Sequence, residues 1–274
     1  MGISPIIYDP SLLGFPDFPT TNQQVFSTPT EGETFTVPSG VFWIGVKCWA
    51  AGGGRGESSG GAGCFAEILL EVYSGEILQI RVGGGGENGG YQNEGAGGIN
   101  GGGDGGNGAG GGGGGGGYSG IFTNNRPLIM TGGGGGGGRT GSSDITGNGG
   151  GSGSNGGFIG SPSPNIGGKV AFIDSFQGSD GKSIFNGTGG GGGGGGFKSG
   201  EGGDGDSIVA YPGGSGLACA VLKDNMKNLI ARRVKVFFIF SNGTPNISGY
   251  LGYGNGASIT NSTNAGNGRI EITY

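Results

Sequence analysis

The sequence predicts a mostly β protein: an antiparallel, half-jelly-roll-like β-sandwich with an inserted bundle of polyglycine II helices and almost no α-helix. Three observations carry this. Apolar residues alternate with polar ones near both chain ends, the period of a half-buried strand. Glycine supplies 80 of the 274 residues and concentrates between those segments. Within that middle, glycine keeps a spacing of three, the repeat of a left-handed polyglycine II helix.

The elements follow in order. Residues 1–23 carry Tyr8, Leu12, Leu13, Phe15 and Phe18 among Pro5, Pro10, Pro16 and Pro19. So many prolines forbid a regular helix or a central strand, so the segment reads as an extended arm. It either packs on its own domain or docks in a groove of a partner.

Residues 24–82 read as antiparallel strands of a single domain spanning 24–274. Phe42, Ile44, Val46 and Cys48 share one face. Cys64, Ala66, Ile68, Leu70 and Val72 alternate with Phe65, Glu67, Leu69 and Glu71, and Leu78, Ile80 and Val82 with Gln79 and Arg81. Ser74-Gly75-Glu76 makes a tight connection. Residues 216–274 return to this pattern: a short apolar strand from Leu217 to Leu222, then Val234, Val236, Phe238 and Phe240, and finally Ile270, Ile272 and Tyr274. One-faced sheets must bury that face on another layer, which predicts the sandwich.

The polyglycine II region is placed at 83–215, with uninterrupted runs at 110–117, 132–138 and 189–196. Gly102, Gly105, Gly108, Gly111, Gly114, Gly117 and Gly120 keep one register, as do Gly147, Gly150, Gly153 and Gly156. With three residues per turn, every third residue faces the same neighbour. Only glycine lets backbones approach closely enough to bond there. A pure run such as 110–117 is expected at the centre, and Asn100, Asp104, Asn107 and Asn155 are expected to point outward. Collagen is excluded because only 11 prolines occur in the chain. A disordered linker is disfavoured because the tracts alternate with strand-like segments.

Composition excludes several functions. The chain has no histidine, so a histidine general base, the common metal ligand and Ser-His or Cys-His nucleophiles are absent. A net charge of −5 without a basic stripe argues against nucleic acid. No run of 18 apolar residues predicts a membrane span. The first residues lack a signal-peptide pattern, so synthesis in a cytosol is expected and the sequons at Asn186, Asn242, Asn246 and Asn261 are set aside.

Motifs that suggest chemistry fail on detail. The pattern GxGxxG matches throughout glycine runs and needs a following helix that is not predicted. Gly181-Lys182-Ser183 resembles the end of a phosphate-binding loop, but the first glycine of that motif is replaced by Phe176. Gly202-Gly203-Asp204-Gly205-Asp206 suggests a calcium β-roll, but Ser207 stands where the motif requires aspartate. No catalytic, cofactor-binding or metal site is predicted. Cys48, Cys64 and Cys219 sit in apolar runs and read as buried thiols, with a Cys48–Cys64 or Cys64–Cys219 bridge as the alternative. Tyr91, Tyr118, Phe122, Phe158, Phe185, Phe197 and Tyr211 lie beside glycine runs. They either cap the bundle and pack on the β core or form a recognition surface of rigid aromatics on loops.

A family resemblance rests on an ordered motif series over residues 24–274. It comprises Phe35-Thr36-Val37-Pro38-Ser39-Gly40-Val41, Val46-Lys47-Cys48-Trp49-Ala50-Ala51-Gly52-Gly53-Gly54, Gly61-Ala62-Gly63-Cys64-Phe65-Ala66-Glu67, Gly75-Glu76-Ile77-Leu78, Val82-Gly83-Gly84-Gly85-Gly86 and Gly268-Arg269-Ile270-Glu271-Ile272-Thr273-Tyr274. The series resembles the glycine-rich domain of phage tail appendages and giant-virus surface proteins. Related domains occur in bacterial surface proteins and in the ectodomain of anaplastic-lymphoma-kinase-type receptors. The tracts are also similar to those of T-even phage tail-tip adhesins. The resemblance implies a non-enzymatic virion protein, a capsid, fibre or tail subunit, partnered by other particle proteins or by copies of itself. The alternatives are an adhesin for a host surface protein or glycan, and an ice-binding protein.

Overall fold

A computed structural model gives the fold. Residues 17, 19, 21–138, 176–184, 188–196, 199–204, 219–220, 234–240 and 264–274 are described. They hold ten strands: β1 (Gln23–Phe26), β2 (Thr30–Thr36), β3 (Trp43–Trp49), β4 (Phe65–Glu71), β5 (Ile77–Val82), β6 (Ser119–Thr123), β7 (Arg126–Thr131), β8 (Cys219–Ala220), β9 (Val234–Phe240) and β10 (Arg269–Thr273). No helix occurs among the described residues. The strands form two five-stranded sheets, ordered β1-β10-β3-β4-β9 and β2-β5-β6-β7-β8, with antiparallel neighbours.

The alternation that predicts the strands also selects their inner faces. Ile44, Val46 and Cys48 of β3 and Ala66, Ile68 and Leu70 of β4 meet Leu78, Ile80 and Val82 of β5 in one buried cluster. Phe26, Phe35, Ile121, Ile129, Ile270 and Ile272 belong to it as well, so both sheets contribute. Each such Leu, Ile or Phe stabilises by about 1.5–3 kcal/mol relative to an exposed one. The turn after β4 works because Gly75 has φ +79°, a conformation that costs a residue without Cβ little.

Three sequence expectations change. Phe42 shares the parity of Ile44 but precedes the ladder and is 58% exposed. Phe65 and Leu69 lie on the opposite face of β4 from the shared cluster, yet both are fully buried. The stretch assigned to polyglycine contains the β6–β7 hairpin, whose Asn124-Asn125 turn has φ 48° and 60°. Two consecutive left-handed residues are what a tight two-residue hairpin needs, and asparagine tolerates them. Of the strand expected from Leu217 to Leu222, Cys219 and Ala220 are described and form β8, and the other positions lie outside the described residues.

At one end of the sheets the strands pass directly into glycine tracts. β3 continues into 50–56, β5 into 83–90 and β7 into 132–138, while 58–64 leads into β4 and 110–118 into β6. The pairing period changes there. Ala50 N–H donates to Cys64 O and Gly53 N–H to Gly61 O, a step of three residues.

The tract 110–118 shows the pattern most fully. Gly111, Gly114 and Gly117 donate to Gly90, Glu87 and Gly84. Gly112, Gly115 and Tyr118 donate to Gly106, Gly103 and Asn100, and Gly113 and Gly116 donate to Gly137 and Gly134. Its carbonyls accept from three further tracts: Gly110, Gly113 and Gly116 from Gly189, Gly192 and Gly195, Gly112 and Gly115 from Gly95 and Gly98, and Gly114 and Gly117 from Gly54 and Ala51. Donor–acceptor distances are 2.7–3.0 Å. The pure glycine run is therefore central, bonded to six neighbouring tracts.

Side chains are excluded for the same reason. A Cβ on Gly111, Gly114 or Gly117 would meet the carbonyl oxygen of Asn93, Ala96 or Ile99, and one on Gly112 or Gly115 that of Gly190 or Gly193. Two features depart from the sequence register. It is broken by a bend at Gly108-Ala109, and Gly120 belongs to β6. Asn100 is also not outward-facing: it is buried at φ 68°, and its Nδ2 donates to Thr30 O and Val82 O, tying the bundle to β2 and β5. Asp104 and Asn107 are exposed as expected, and Asn155 lies outside the described residues.

Candidate functional site

The far end of the bundle is built from turns that reverse one tract into the next. Gly90 and Asn93 exchange backbone hydrogen bonds, and Gln92 between them has φ 54°. Gly89 N–H donates to Arg55 O, and Arg55 N–H donates to the Asn88 side chain at 3.0 Å. Asn88 Nδ2 donates to Asn264 Oδ1 at 2.8 Å, and Gly111 N–H donates to Gly90 O. Three turns are thereby fixed side by side.

Between them lies a cleft of about 430 Å³, lined by Arg55, Glu57, Tyr91, Ala109 and the glycines at 56, 89, 90, 110 and 111. Tyr91 is 78% exposed. The Arg55 guanidinium has no hydrogen-bond or ion-pair partner among the described residues. The cleft thus combines a flat ring, a planar cation with five donors and a carboxylate on a backbone scaffold. That set suits a polar ligand bearing hydroxyl or carboxylate groups. Its charged members escaped the sequence reading, although Arg55 and Glu57 interrupt a glycine stretch and so mark a position where side chains are tolerated.

Of the aromatic residues singled out from sequence, Tyr91 alone among the described ones is exposed in this way. Tyr118 and Phe122 are buried, so neither presents a recognition surface. They pack with Met130 and Phe176, with ring centroids 6.0 Å apart for Tyr118–Phe122 and 5.9 Å for Tyr118–Phe176. Arg81 lies 4.4 Å over the Phe122 ring and donates to Tyr118 Oη at 2.9 Å. The physical reason is parity: Phe122 pairs with Gln79 on the sheet face away from the shared core, and that face is covered. Phe158, Phe185, Phe197 and Tyr211 lie outside the described residues, as do Tyr8, Leu12, Leu13, Phe15 and Phe18 of the arm.

Cys48 and Cys64 are buried thiols not joined to each other, and Cys48 Sγ lies 3.3 Å from Thr131 Oγ1. The Cys219 side chain is outside the described set. Among the described residues, no group of three His, Cys, Asp or Glu could hold a metal ion, and no helix is long and apolar enough to cross a membrane. Asp204, from the aspartate-glycine stretch, instead pairs with Lys182. The hydrogen bond that Lys182 donates to that carboxylate, together with the carboxylate's charge, raises the Lys182 pKa above its ordinary value. No protein-family model matches the chain, and no curated protein aligns with it significantly.

Proposed function

We propose that the chain is a non-enzymatic structural and surface protein of a virus particle, in which the glycine tracts are polyglycine II helices packed into a rigid post. The two sheets form a half-jelly-roll-like sandwich that anchors the post and links it to the particle. The observation that supports this best is the bonding of tract 110–118 to six neighbours in steps of three residues. Such a lattice leaves little freedom for the catalytic motions of loops and lids, and much stiffness for display or spacing. The motif series from Phe35 to Tyr274 supports the particle setting through its resemblance to the glycine-rich viral and phage domain. Immunogold electron microscopy of purified particles tests the reading. Label on the shell or its appendages is expected, and particles that lack the chain refute it.

A second reading is a receptor-binding adhesin. The cleft with Tyr91 and Arg55, presented at the end of the post, favours it. Tyr91→Ala with Arg55→Ala is then expected to abolish adhesion to host cells while incorporation into particles continues. Unchanged adhesion leaves the structural role alone standing.

A further inference from the structure

The sequence contains nine Asn-Gly pairs, and four of them, at Asn88, Asn100, Asn107 and Asn267, lie among the described residues. In such a pair the backbone nitrogen of the glycine can attack the asparagine side-chain amide, because no Cβ shields it. Three of the four are held against this. Gly89 N–H donates to Arg55 O, and the Asn88 side chain accepts from Arg55 N–H and donates to Asn264 Oδ1. Gly268 N–H donates to Gly83 O, and Asn267 Oδ1 accepts from Gly85 N–H. Asn100 is buried, and its Nδ2 donates to Thr30 O and Val82 O. Ring closure at these sites must first break those bonds. Asn107 differs. It is exposed, and among the described residues neither its side chain nor Gly108 N–H makes a hydrogen bond. Gly108 and Ala109 form the bend that interrupts the three-residue bonding. The Asn107 carbonyl accepts from Ile184 N–H at 3.1 Å. That bond polarises the peptide group shared with Gly108 and favours loss of the Gly108 amide proton.

We infer that Asn107 is a site of spontaneous modification, at which the folded chain deamidates ahead of Asn88, Asn100 and Asn267. Gly108 N gives its proton to solvent and bonds to Asn107 Cγ. The Cγ–Nδ2 bond breaks, and Nδ2 takes a proton from solvent and leaves as ammonia. A water molecule then opens the resulting succinimide ring at one of its two carbonyls. Opening at Cγ restores the main chain and gives aspartate. Opening at the Asn107 main-chain carbonyl gives isoaspartate, whose main chain runs through Cβ and Cγ and is longer by a methylene group. Either product places a carboxylate where an exposed neutral amide stood, on a chain whose net charge is already −5. Ala109 and Gly110, the residues that follow Gly108, line the tip cleft with Arg55 and Tyr91. The conversion therefore alters the charge and the length of the segment leading into the cleft wall, slowly and in one direction, as the protein ages.

Peptide mapping by mass spectrometry tests it, with fragmentation that locates each converted residue and separates aspartate from isoaspartate. The purified full chain is held in mildly alkaline buffer and sampled over time, folded and in denaturant. In the folded chain Asn107 is expected to convert while Asn88, Asn100 and Asn267 keep their amides. In denaturant the four are expected to convert at similar rates, because each precedes glycine and no fold remains to hold three of them. An Asn107 that stays intact in the folded chain, or converts no sooner than the other three, overturns the inference. So does a lead for Asn107 that persists undiminished in denaturant, since local sequence rather than the fold would then set the order.

Discussion

The layered sheets and the glycine bundle are two solutions to the same problem within one chain. The sheets bury side chains: Ile68, Leu70, Ile80 and Ile121 are fully enclosed between layers. The bundle has almost no side chains to bury and is joined by backbone hydrogen bonds at 2.7–3.0 Å. Magnitudes separate the two. Ordering a residue's backbone costs about 1–2 kcal/mol, with glycine at the expensive end. A backbone hydrogen bond returns about 0.5–1.5 kcal/mol net. A tract therefore roughly breaks even at best, whereas each buried isoleucine or leucine contributes about 1.5–3 kcal/mol. The bundle therefore depends on the sheets for its stability. Direct continuation of β3, β5 and β7 into tracts is the means by which that support is transmitted.

The largest effect is expected inside the bundle. Gly114→Val places a Cβ on the Ala96 carbonyl oxygen and branches beyond it, against backbone that has no rotamer to change. The loss is expected to exceed about 4 kcal/mol, seen as failure to fold or collapse of the thermal midpoint. A variant that melts like the parent would remove the packed-bundle account.

Ile68→Ala, in the middle of the layered core, is expected to cost about 2–5 kcal/mol by chemical denaturation, since the neighbouring strands close only part of the cavity. Whether tracts and sheets then unfold together is the sharper readout. One cooperative transition by both circular dichroism and amide exchange supports the dependence drawn above, and a bundle that outlasts the sheets contradicts it.

A smaller effect is expected at Glu271, buried on β10, whose carboxylate accepts from Arg269 at 2.7 Å and from Gln23 at 3.1 Å. Glu271→Ala removes a charged hydrogen-bond partner between β1 and β10 and is expected to cost about 2 kcal/mol in equilibrium unfolding. Tyr91→Ala at the tip is expected to leave stability within about 0.5 kcal/mol, because the ring is exposed. A larger loss would make Tyr91 part of the bundle's support rather than of the cleft.

The smallest effect belongs to Lys182. Its pKa is raised in the fold, so any stabilisation is present below the ordinary value of 10.5 and is lost as pH rises through the higher folded value. Lys182→Met is expected to leave the thermal midpoint at pH 7 unchanged, because the Lys182–Asp204 pair is solvent-exposed.

Much of the sheet architecture was legible because a strand's period of two is local: Ile44, Val46 and Cys48, or Leu78, Ile80 and Val82, announce their shared face without reference to the rest of the chain. The β6–β7 hairpin was not, since Gly120 keeps the three-residue glycine register and the Asn124-Asn125 turn gives only a weak signal. The tip was half legible. Tyr91 stood out as an aromatic residue among glycines, but its company with Arg55 and Glu57 depends on tracts that are remote in sequence.

The sequence by itself determined the two periods, two and three, and with them which stretches bury side chains and which must remain bare. Tertiary structure decided the rest: which tracts surround 110–118, why Asn100 turns inward to Thr30 and Val82, why Tyr118 and Phe122 are covered while Tyr91 is exposed, and which turns share the tip. The physical reason is that a period specifies a face, whereas a neighbour is chosen by non-local backbone bonds whose partners carry no side chain to identify them.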